Sequence, residues 1–225
     1  MQLIIGDYNY SSWSMRGWLA ARASGLPFET VQIPLREADT ADHIGRYSPS
    51  GRVPCLIDGE GEGRIAIWDS LAIAEYLAEL NPALWPADAR ARAVARAVSA
   101  EMHSGFTALR THMSMNIRKD YAGHGRTPEV LAEIARIDAL WQDCRQRFGM
   151  QAPVAGPWLF GAWSIADIMY APVCMRFATY AVGEDALSPL ACRYLGEVLT
   201  HPHVQEWRVA ASAETHLIAA YDSYG

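Results

Sequence analysis

The spacing of apolar residues predicts a β-α-β unit at the start of the chain. Residues 2–5 form an apolar run that ends at Gly6, and residues 31–35 alternate apolar with other side chains, so both segments are predicted strands. Between them lies one apolar helical face that ends at Gly25. The residues of this face are Met15, Trp18, Leu19 and Ala23. A helix between two strands favours a parallel pair with a right-handed crossover, and a helix or loop is expected over residues 36–52.

The next segment has the pattern of a hairpin followed by a helix. Two predicted strands, 53–58 and 64–68, flank the glycine-rich run 59–63, whose glycines supply the positive φ angles of a turn. Asp69 and Ser70 then open a helix, because both are N-cap residues. The apolar side chains expected to face the core are Ile73, Leu77 and Leu80.

Beyond residue 80 the pattern becomes helical. Residues 81–86 contain two prolines, which interrupt helix and strand alike and mark a domain boundary. About five helices are predicted after it, in the runs 87–118, 128–148, 164–180, 187–200 and 202–215. We therefore predict an α/β domain at 1–80, a linker at 81–86 and an all-helical domain at 87–225.

Composition narrows the function classes. The 225 residues carry a formal charge of -6 with 19 scattered Lys and Arg, which argues against nucleic acid and membrane surfaces as partners. The chain has no predicted spanning helix or secretory leader, so a cytoplasmic location is expected. The four cysteines are widely spaced, which predicts buried reduced thiols and neither a metal site nor a disulfide framework.

Three segments of the first domain carry candidate chemistry. Asp69 and Ser70 open a helix whose N-terminus attracts a carboxylate, and the strand start at Val53 and Pro54 offers exposed backbone groups to a short peptide. The serines of Ser11-Ser12-Trp13-Ser14 supply hydroxyls where a thiol of that peptide can lie. Each segment also has an ordinary structural interpretation, as helix caps and a proline at a strand start.

Four segments together resemble the cytosolic glutathione transferase family. They are Ser11-Ser12-Trp13-Ser14 with Arg16, Arg52-Val53-Pro54, Asp69-Ser70, and Ser164-Ile165-Ala166-Asp167. The resemblance covers essentially the whole chain and implies a thioredoxin-like domain followed by a helical bundle. The first segment is most similar to the serine-type, zeta-like members, whose Ser-Ser-Cys-Ser has a cysteine where this chain has Trp13.

The resemblance also implies roles for residues of the glutathione site. It implies a cis peptide bond before Pro54 and backbone pairing of Val53 with the cysteinyl unit. Ser70 would hold the γ-glutamyl carboxylate and Asp69 the ammonium group. Arg52 would hold the glycyl carboxylate, with Arg16 and His43 as alternatives.

The resemblance implies that Ser11 supplies the hydroxyl that stabilises the thiolate, because Ser11 falls where glutaredoxin-type relatives have the reactive cysteine, and the positive helix end beside it would lower the thiol pKa further. Ser12 is the second choice, and Tyr8 or Tyr10 the third. Trp13 borders the same site.

The acceptor site is expected between the two domains. The candidate side chains from the helical domain are His103, Arg110, His112 and Arg176. A surface salt bridge is the alternative for Arg176, and packing or capping is the alternative for the histidines, which have no metal-site spacing. The Ser164–Asp167 box is expected to cap a helix and to have no catalytic role.

Three functions fit these residues. The first is conjugation of glutathione with small apolar electrophiles, as in detoxification, without a metal. The second is a glutathione-dependent cis-trans isomerase of the maleylacetoacetate type, for which Arg176 with His112 or Arg110 would hold the two carboxylates. The third is a glutathione-binding regulatory module without catalysis. The resemblance implies a homodimer, and the identity of the acceptor is not predicted.

Overall fold

A four-stranded mixed sheet forms the centre of the N-terminal part. The computed structural model describes residues 1–222. Its strands are β1 (Gln2–Ile5), β2 (Glu29–Gln32), β3 (Cys55–Asp58) and β4 (Ile65–Trp68). Their order in the sheet is β2-β1-β3-β4, with β1 parallel to β2 and the other two pairs antiparallel. This arrangement contains the predicted β-α-β unit and the predicted hairpin.

Alternation along the strands builds two cores, one on each face of the sheet. Leu3, Ile5 and Leu56 point to the face covered by α1 (Ser12–Ser24) and α3 (Ser70–Leu80). Ile4 and Ile57 point to the other face, where α2 (Thr40–Gly45) contributes Ile44. The helix α2 lies within the polar stretch 36–52, for which the sequence left helix and loop open.

Seven helices follow in the described part of the chain. They are α4 (Ala89–Ser104), α5 (Thr107–His112), α6 (Pro128–Arg147), α7 (Ile165–Thr179), α8 (Pro189–Thr200), α9 (Pro202–Ala213) and α10 (Ala219–Asp222). The central helix is α7, in which every residue except Ala178 is buried. The expected run 87–118 is divided because Gly105 ends α4 and Phe106 adopts a left-handed conformation with φ 58°.

Several local predictions were wrong. Leu80 is 50% exposed at the end of α3, so it does not face the core. The strand predicted at 31–35 lies at Glu29–Gln32, since Pro34 cannot donate to a sheet ladder. Cys55, Cys144 and Cys174 are buried, but Cys192 is only partly buried. Two isolated bridges within 158–162 interrupt the helical character of the second part.

The two parts of the chain pack directly on each other. Arg16 Nε donates to the Met169 carbonyl at 2.9 Å, which joins α1 to α7. Trp207 Nε1 on α9 donates to the Tyr8 carbonyl at 2.9 Å. The predicted linker 81–86 holds a 3₁₀ turn (Pro82–Leu84), and its last residue Leu84 and the following Trp85 are buried.

Residues 214–222 return to the N-terminal part, and we call them the C-terminal strap. Glu214 accepts hydrogen bonds from the backbone N–H groups of Tyr8 and Asn9, at 3.0 and 2.9 Å. Tyr10 Oη donates to Asp222 Oδ2 at 2.5 Å. The strap therefore fixes the loop that leads into α1. The predicted helical domain extends to 225, but residues 223–225 lie outside the described residues.

Candidate functional site

The N-terminus of α1 is built on a cap formed by its own serines. Ser11 is the N-cap, and its Oγ accepts a hydrogen bond from Ser14 N–H at 3.2 Å. Ser11 Oγ donates to Ser14 Oγ at 2.8 Å, and Ser14 Oγ also accepts from Gly6 N–H at 2.9 Å. The helix itself begins at Ser12, whose hydroxyl lies outside this cap. Both candidate serines are buried at the predicted position.

The segment before β3 lies against α1. The Val53–Pro54 peptide bond is cis, as the family resemblance implied. Val53 precedes β3 and is not part of the sheet pairing. A Cβ on Gly17 would lie 3.0 Å from Pro54 Cγ, so glycine at this position lets α1 approach the proline closely.

The N-terminus of α3 has the polar arrangement expected from its sequence. Asp69 is the N-cap and has φ 77°, and its Oδ1 accepts hydrogen bonds from Leu71 and Ala72 N–H at 2.9 and 3.3 Å. Ser70 is 1% exposed, and its Oγ has no hydrogen-bond partner among the described residues. A buried hydroxyl without a partner costs free energy, so this position fits an acceptor supplied from outside the chain.

His103 joins the helical part to this N-terminus. Its Nε2 lies 3.1 Å from Asp69 Oδ2, and its ring meets Trp13 edge to face with centroids 5.1 Å apart. Burial lowers the pKa of His103, and Arg16 and Arg110 lower it further against the opposing effect of Asp69. At neutral pH the imidazole is therefore neutral and donates its Nε2–H to the carboxylate.

Two arginines stack on the indole of Trp13. The guanidinium carbon of Arg16 lies 4.7 Å from the ring centroid, and that of Arg110 lies 4.6 Å from it. Arg16 is 1% exposed, and its Nη1 has no partner among the described residues. Burial lowers its pKa well below the usual range, with Arg110 and Arg176 adding to the effect. Trp13 is thus held between two cations and an imidazole.

Arg176 lies inside the protein between α7 and the N-terminus of α1. Its Nε donates to the Met113 carbonyl at 2.8 Å, and its Nη2 donates to Ser12 Oγ at 3.2 Å. The side chain is buried, so the alternative of a surface salt bridge is wrong for Arg176. Burial, with a contribution from Arg110, lowers its pKa to about 10, so it remains cationic at neutral pH.

The other candidates lie apart from this cluster. Arg52 is exposed one residue before Val53, and His43 is paired with Asp39 at 3.5 Å. His112 is exposed at the end of α5. The hydroxyls of Tyr8 and Tyr10 are engaged elsewhere: Tyr10 donates to Asp222, and the Tyr8 hydroxyl is hydrogen-bonded to Thr30 on β2. Three methionines of the same region, Met102, Met113 and Met115, lie in the core.

Sequence reasoning missed the contacts that join these candidates. The stack of Arg110 on Trp13 joins α5 to α1, and the pair of His103 with Asp69 joins α4 to the start of α3, so both link segments that are distant in sequence. Only the i, i+3 spacing of Trp13 and Arg16 was visible as a local signal. The Ser164–Asp167 capping box is confirmed, with Ser164 N–H donating to Asp167 Oδ2 at 2.9 Å.

Residues 1–222 contain neither a membrane-spanning helix nor a metal-binding group of side chains. No helix in this range has the length and apolar character needed to cross a membrane. Within the same range, no group of three or more His, Cys, Asp or Glu side chains is arranged to hold a metal ion.

Comparison with known proteins agrees with the fold and with the assignment of the N-terminal domain. Residues 10–80 match the family model described as the glutathione S-transferase N-terminal domain. No curated protein matches the chain. A glutathione transferase homologue from Burkholderia BGR1, solved with bound glutathione, is 24% identical with a TM-score of 0.64, and the match covers 95% of this chain and 98% of that one.

Two further solved structures show the same fold. The maleylacetoacetate isomerase of Methylobacterium extorquens AM1, solved with malonate and glutathione, is 23% identical with a TM-score of 0.62, covering 94% of this chain and 97% of that one. The bacterial beta-class glutathione S-transferase of Sphingomonas chungbukensis is also 23% identical, with a TM-score of 0.64 and coverages of 94% and 98%.

The chain is a thioredoxin-like domain followed by a helical part, which is the fold of the cytosolic glutathione transferases. Its residues 10–80 match the model of the glutathione S-transferase N-terminal domain, which agrees with the family resemblance of the sequence over this part of the chain. The zeta-like subclass stays a prediction, because zeta-like and beta-class structures match the chain equally well.

Proposed function

We propose that this protein is a glutathione transferase that joins the glutathione sulfur to small electrophiles. The observation that carries the proposal is Ser70 at the N-terminus of α3, whose buried hydroxyl has no hydrogen-bond partner within residues 1–222. A helix N-terminus favours a carboxylate, and a serine hydroxyl there can donate to it. The γ-glutamyl carboxylate of glutathione is the group we assign to this position.

The remaining contacts follow from the same placement. Val53 would offer its backbone to the cysteinyl unit, and the exposed Arg52 beside it is assigned to the glycyl carboxylate. Asp69 has one oxygen engaged by the α3 cap and the other by His103. Its contact with the ammonium group must therefore use the remaining lone pairs of the carboxylate.

The thiol belongs at the N-terminus of α1, where Ser11 and Ser12 lie. The helix end and the neighbouring Arg110 and Arg176 favour an anion there, so the thiolate form gains over the thiol. A free thiol has a pKa near 8.5 and is only a few per cent thiolate at neutral pH. Lowering that pKa raises the reactive fraction directly.

Activity is tested by conjugation of 1-chloro-2,4-dinitrobenzene. The purified protein should be retained on immobilised glutathione and should catalyse this reaction. Ser70→Ala should raise the KM for glutathione with little change in kcat, because Ser70 is assigned to binding. The matched control is Ser104→Ala, which removes an exposed hydroxyl that only donates to the Ala100 carbonyl of its own helix. Wild-type protein without glutathione-dependent turnover would exclude the transferase.

One observation favours the isomerase as a second candidate. Arg110 is close enough to lower the pKa of Arg176, and neither guanidinium forms a salt bridge among the described residues, while Glu133 acts on Arg110 electrostatically. Two such cations suit a substrate with two carboxylates. His112, the other candidate for the second cation, is exposed at the end of α5.

Turnover of maleylacetone separates the two functions. An isomerase should convert maleylacetone in a reaction that requires glutathione, and Arg110→Met should lower that activity much more than conjugation of the neutral aromatic acceptor, which loses only the contribution of Arg110 to thiolate formation. Equal loss of both activities in Arg110→Met would exclude a specific role for Arg110 in binding a diacid.

A further inference from the structure

We propose that Ser12, and not Ser11, is the catalytic hydroxyl that donates to the glutathione sulfur, and that Arg176 is the residue that positions it. The inference rests on the proposed function and makes it more specific. It reverses the order of the two serines expected from the family resemblance. Hydrogen-bond geometry at the N-terminus of α1 is the basis for it.

The hydroxyl of Ser11 is already used by the helix. Its oxygen accepts Ser14 N–H at 3.2 Å, and its proton is donated to Ser14 Oγ at 2.8 Å. A donation to sulfur would have to break the second of these bonds. Because Ser14 Oγ also accepts Gly6 N–H at 2.9 Å, the Ser11–Ser14 pair ties α1 to the end of β1. This network explains Ser11 as a structural cap.

The hydroxyl of Ser12 has the opposite arrangement. It accepts a hydrogen bond from Arg176 Nη2 at 3.2 Å and donates none to any described residue. A serine hydroxyl has one proton to donate, so this proton is available to a group outside the chain. Acceptance from a guanidinium also polarises the O–H bond, which strengthens its donation to an anion.

Arg176 is fixed in the orientation that this role requires. Its Nε donates to the Met113 carbonyl at 2.8 Å and its Nη1 to the Pro172 carbonyl at 3.3 Å. These two bonds leave Nη2 directed at Ser12 in a side chain that is only 4% exposed. A buried arginine held in this way cannot adjust freely, so it sets which way the Ser12 lone pairs and proton point.

Besides Arg176, the charged and titratable groups around Ser12 come from its own helix and from other elements of the fold. Arg110 on α5 and Arg16 on α1 add positive charge, while His103 on α4 is paired with Asp69 at the N-cap of α3. Two carboxylates act on this cluster: Asp69, whose Oδ2 is paired with His103, and Glu133, which acts electrostatically on Arg110. The net field favours a thiolate at Ser12.

The chemical step needs only glutathione, the electrophile and solvent water as the proton acceptor. The bound thiol loses its proton to solvent, and Ser12 Oγ–H donates a hydrogen bond to the resulting sulfur anion without transferring its proton. With 1-chloro-2,4-dinitrobenzene, the sulfur electron pair forms the carbon–sulfur bond, and chloride leaves with the electrons of the carbon–chlorine bond. Ser12 therefore acts by lowering the energy of the anion.

The direct test is the pKa of the bound thiol, measured from the ultraviolet absorbance of the thiolate against pH at saturating glutathione. Ser12→Ala should raise this pKa by about one unit, because a hydrogen bond to the charged form is lost. Ser12→Cys, which keeps the shape and has a weaker donor, should shift it in the same direction. Ser11→Ala should lower the melting temperature and leave the thiol pKa unchanged.

The role of Arg176 is tested by a double-mutant cycle on the same quantity. Arg176→Lys should raise the thiol pKa and reduce kcat with little change in the KM for glutathione. In the Ser12→Ala background the effect of Arg176→Lys should largely disappear, because Arg176 acts through Ser12. The matched control for Arg176→Lys is Arg147→Lys, because Arg147 forms an exposed ion pair with Asp143. The matched control for Ser12→Ala is Thr200→Ala, which removes an exposed hydroxyl.

Each contrary outcome has a distinct meaning. A thiol pKa that rises in Ser11→Ala and not in Ser12→Ala would overturn the inference, and so would equal shifts in both. An Arg176→Lys effect that persists in full without the Ser12 hydroxyl would overturn the role of Arg176. Absence of glutathione binding to the wild-type protein in calorimetry would instead contradict the proposed function.

Discussion

Neighbouring side chains at the N-terminus of α1 have different roles, some in folding and some in the proposed chemistry. Ser11 and Ser14 satisfy backbone groups at the helix start, while Ser12 and Trp13 face partners from the helical part of the chain. A run of three serines within four residues looks uniform in sequence. Their hydrogen bonds show that the three have different roles.

The capping role of Ser11 predicts a stability effect. Ser11→Ala should lower the free energy of unfolding by about 1 kcal/mol, because the Ser14 N–H loses its acceptor. Urea denaturation followed by circular dichroism measures this difference. Thr200→Ala, which removes an exposed hydroxyl near the end of α8, should change stability much less. A Ser11→Ala protein as stable as wild type would contradict the capping role.

Roles of single residues could be predicted from the sequence where they depend only on residue type and on position next to a helix. Asp69 as the cap of α3 follows from residue type and position, and so does the Ser164–Asp167 box. The placement of Arg16 was not predictable in the same way, because a buried arginine beside an indole depends on packing between distant segments. An arginine in a helical pattern is ordinarily expected in solvent.

At the scale of elements, helices with a proline at the first position were the easiest to predict. Thr127 with Pro128 and Ser188 with Pro189 both mark the helix starts observed for α6 and α8. The short elements α2 and α10 have too few residues for a periodic pattern, so the sequence gives little indication of them. Tertiary contacts hold such short helices.

Among the helix caps, we expect the loss of the α7 capping box to lower the free energy of unfolding the most. Asp167 is buried and accepts hydrogen bonds from Leu159 N–H at 2.9 Å, from Ser164 N–H at 2.9 Å and from Tyr194 Oη at 3.1 Å. Asp167→Ala should cost about 3 kcal/mol, because several buried donors lose their acceptor at once.

The matched control for Asp167 is Asp88→Ala. Asp88 caps the exposed start of α4 by accepting Arg90 and Ala91 N–H, and its loss should cost about 1 kcal/mol. Chemical denaturation of both variants gives the comparison. Equal costs in the two variants would show that burial of the α7 cap adds nothing.

At the scale of the whole molecule, the C-terminal strap joins the end of the described chain to its beginning. His216 Nδ1 lies 2.6 Å from Asp7 Oδ1, and Nε2 lies 3.0 Å from Glu37 Oε1. Burial alone would lower the pKa of His216, but the two carboxylates outweigh burial and raise it. Both contacts are favourable only when the imidazole carries a proton on each nitrogen.

This arrangement predicts that the contribution of the strap to stability depends on pH. A raised folded pKa means that the contribution of His216 is complete below the unfolded pKa of about 6.5 and is lost as pH rises through the folded value. The stability difference between wild type and His216→Gln should therefore be larger at about pH 6 than at about pH 9. His43→Gln, on an exposed i, i+4 pair with Asp39, is the control. A difference that grows with pH would contradict this account.

The exposed apolar side chains on the edge strand β4 predict that the protein forms a dimer. Ile65 is 47% exposed and Trp68 is 48% exposed on β4, which is an edge strand. Large apolar side chains on an open edge are a site where another chain can pack, and a homodimer is the partner expected from the family resemblance. Trp68→Glu should shift the protein from dimer to monomer in light scattering. A wild-type protein that is monomeric at micromolar concentration would contradict this expectation.

Sequence patterns captured the architecture of the molecule better than its internal contacts. The β-α-β unit, the hairpin and the later helices follow from periodicity and turn residues, which act over short distances. Contacts such as those of Glu214 with Tyr8 and Asn9 join residues about 200 positions apart, and no local pattern encodes them. The candidate site lies where such contacts meet, so its residues were predicted singly and their pairing was not.

Calorimetric titration of glutathione into wild-type and Ser70→Ala protein tests the central proposal most directly. The proposal predicts saturable binding to wild type, and an affinity about tenfold weaker in Ser70→Ala, because one hydrogen bond to a carboxylate is worth about 1.4 kcal/mol. No binding to wild type at millimolar glutathione, or equal affinity in the two proteins, would contradict the assignment of the α3 N-terminus to the γ-glutamyl group.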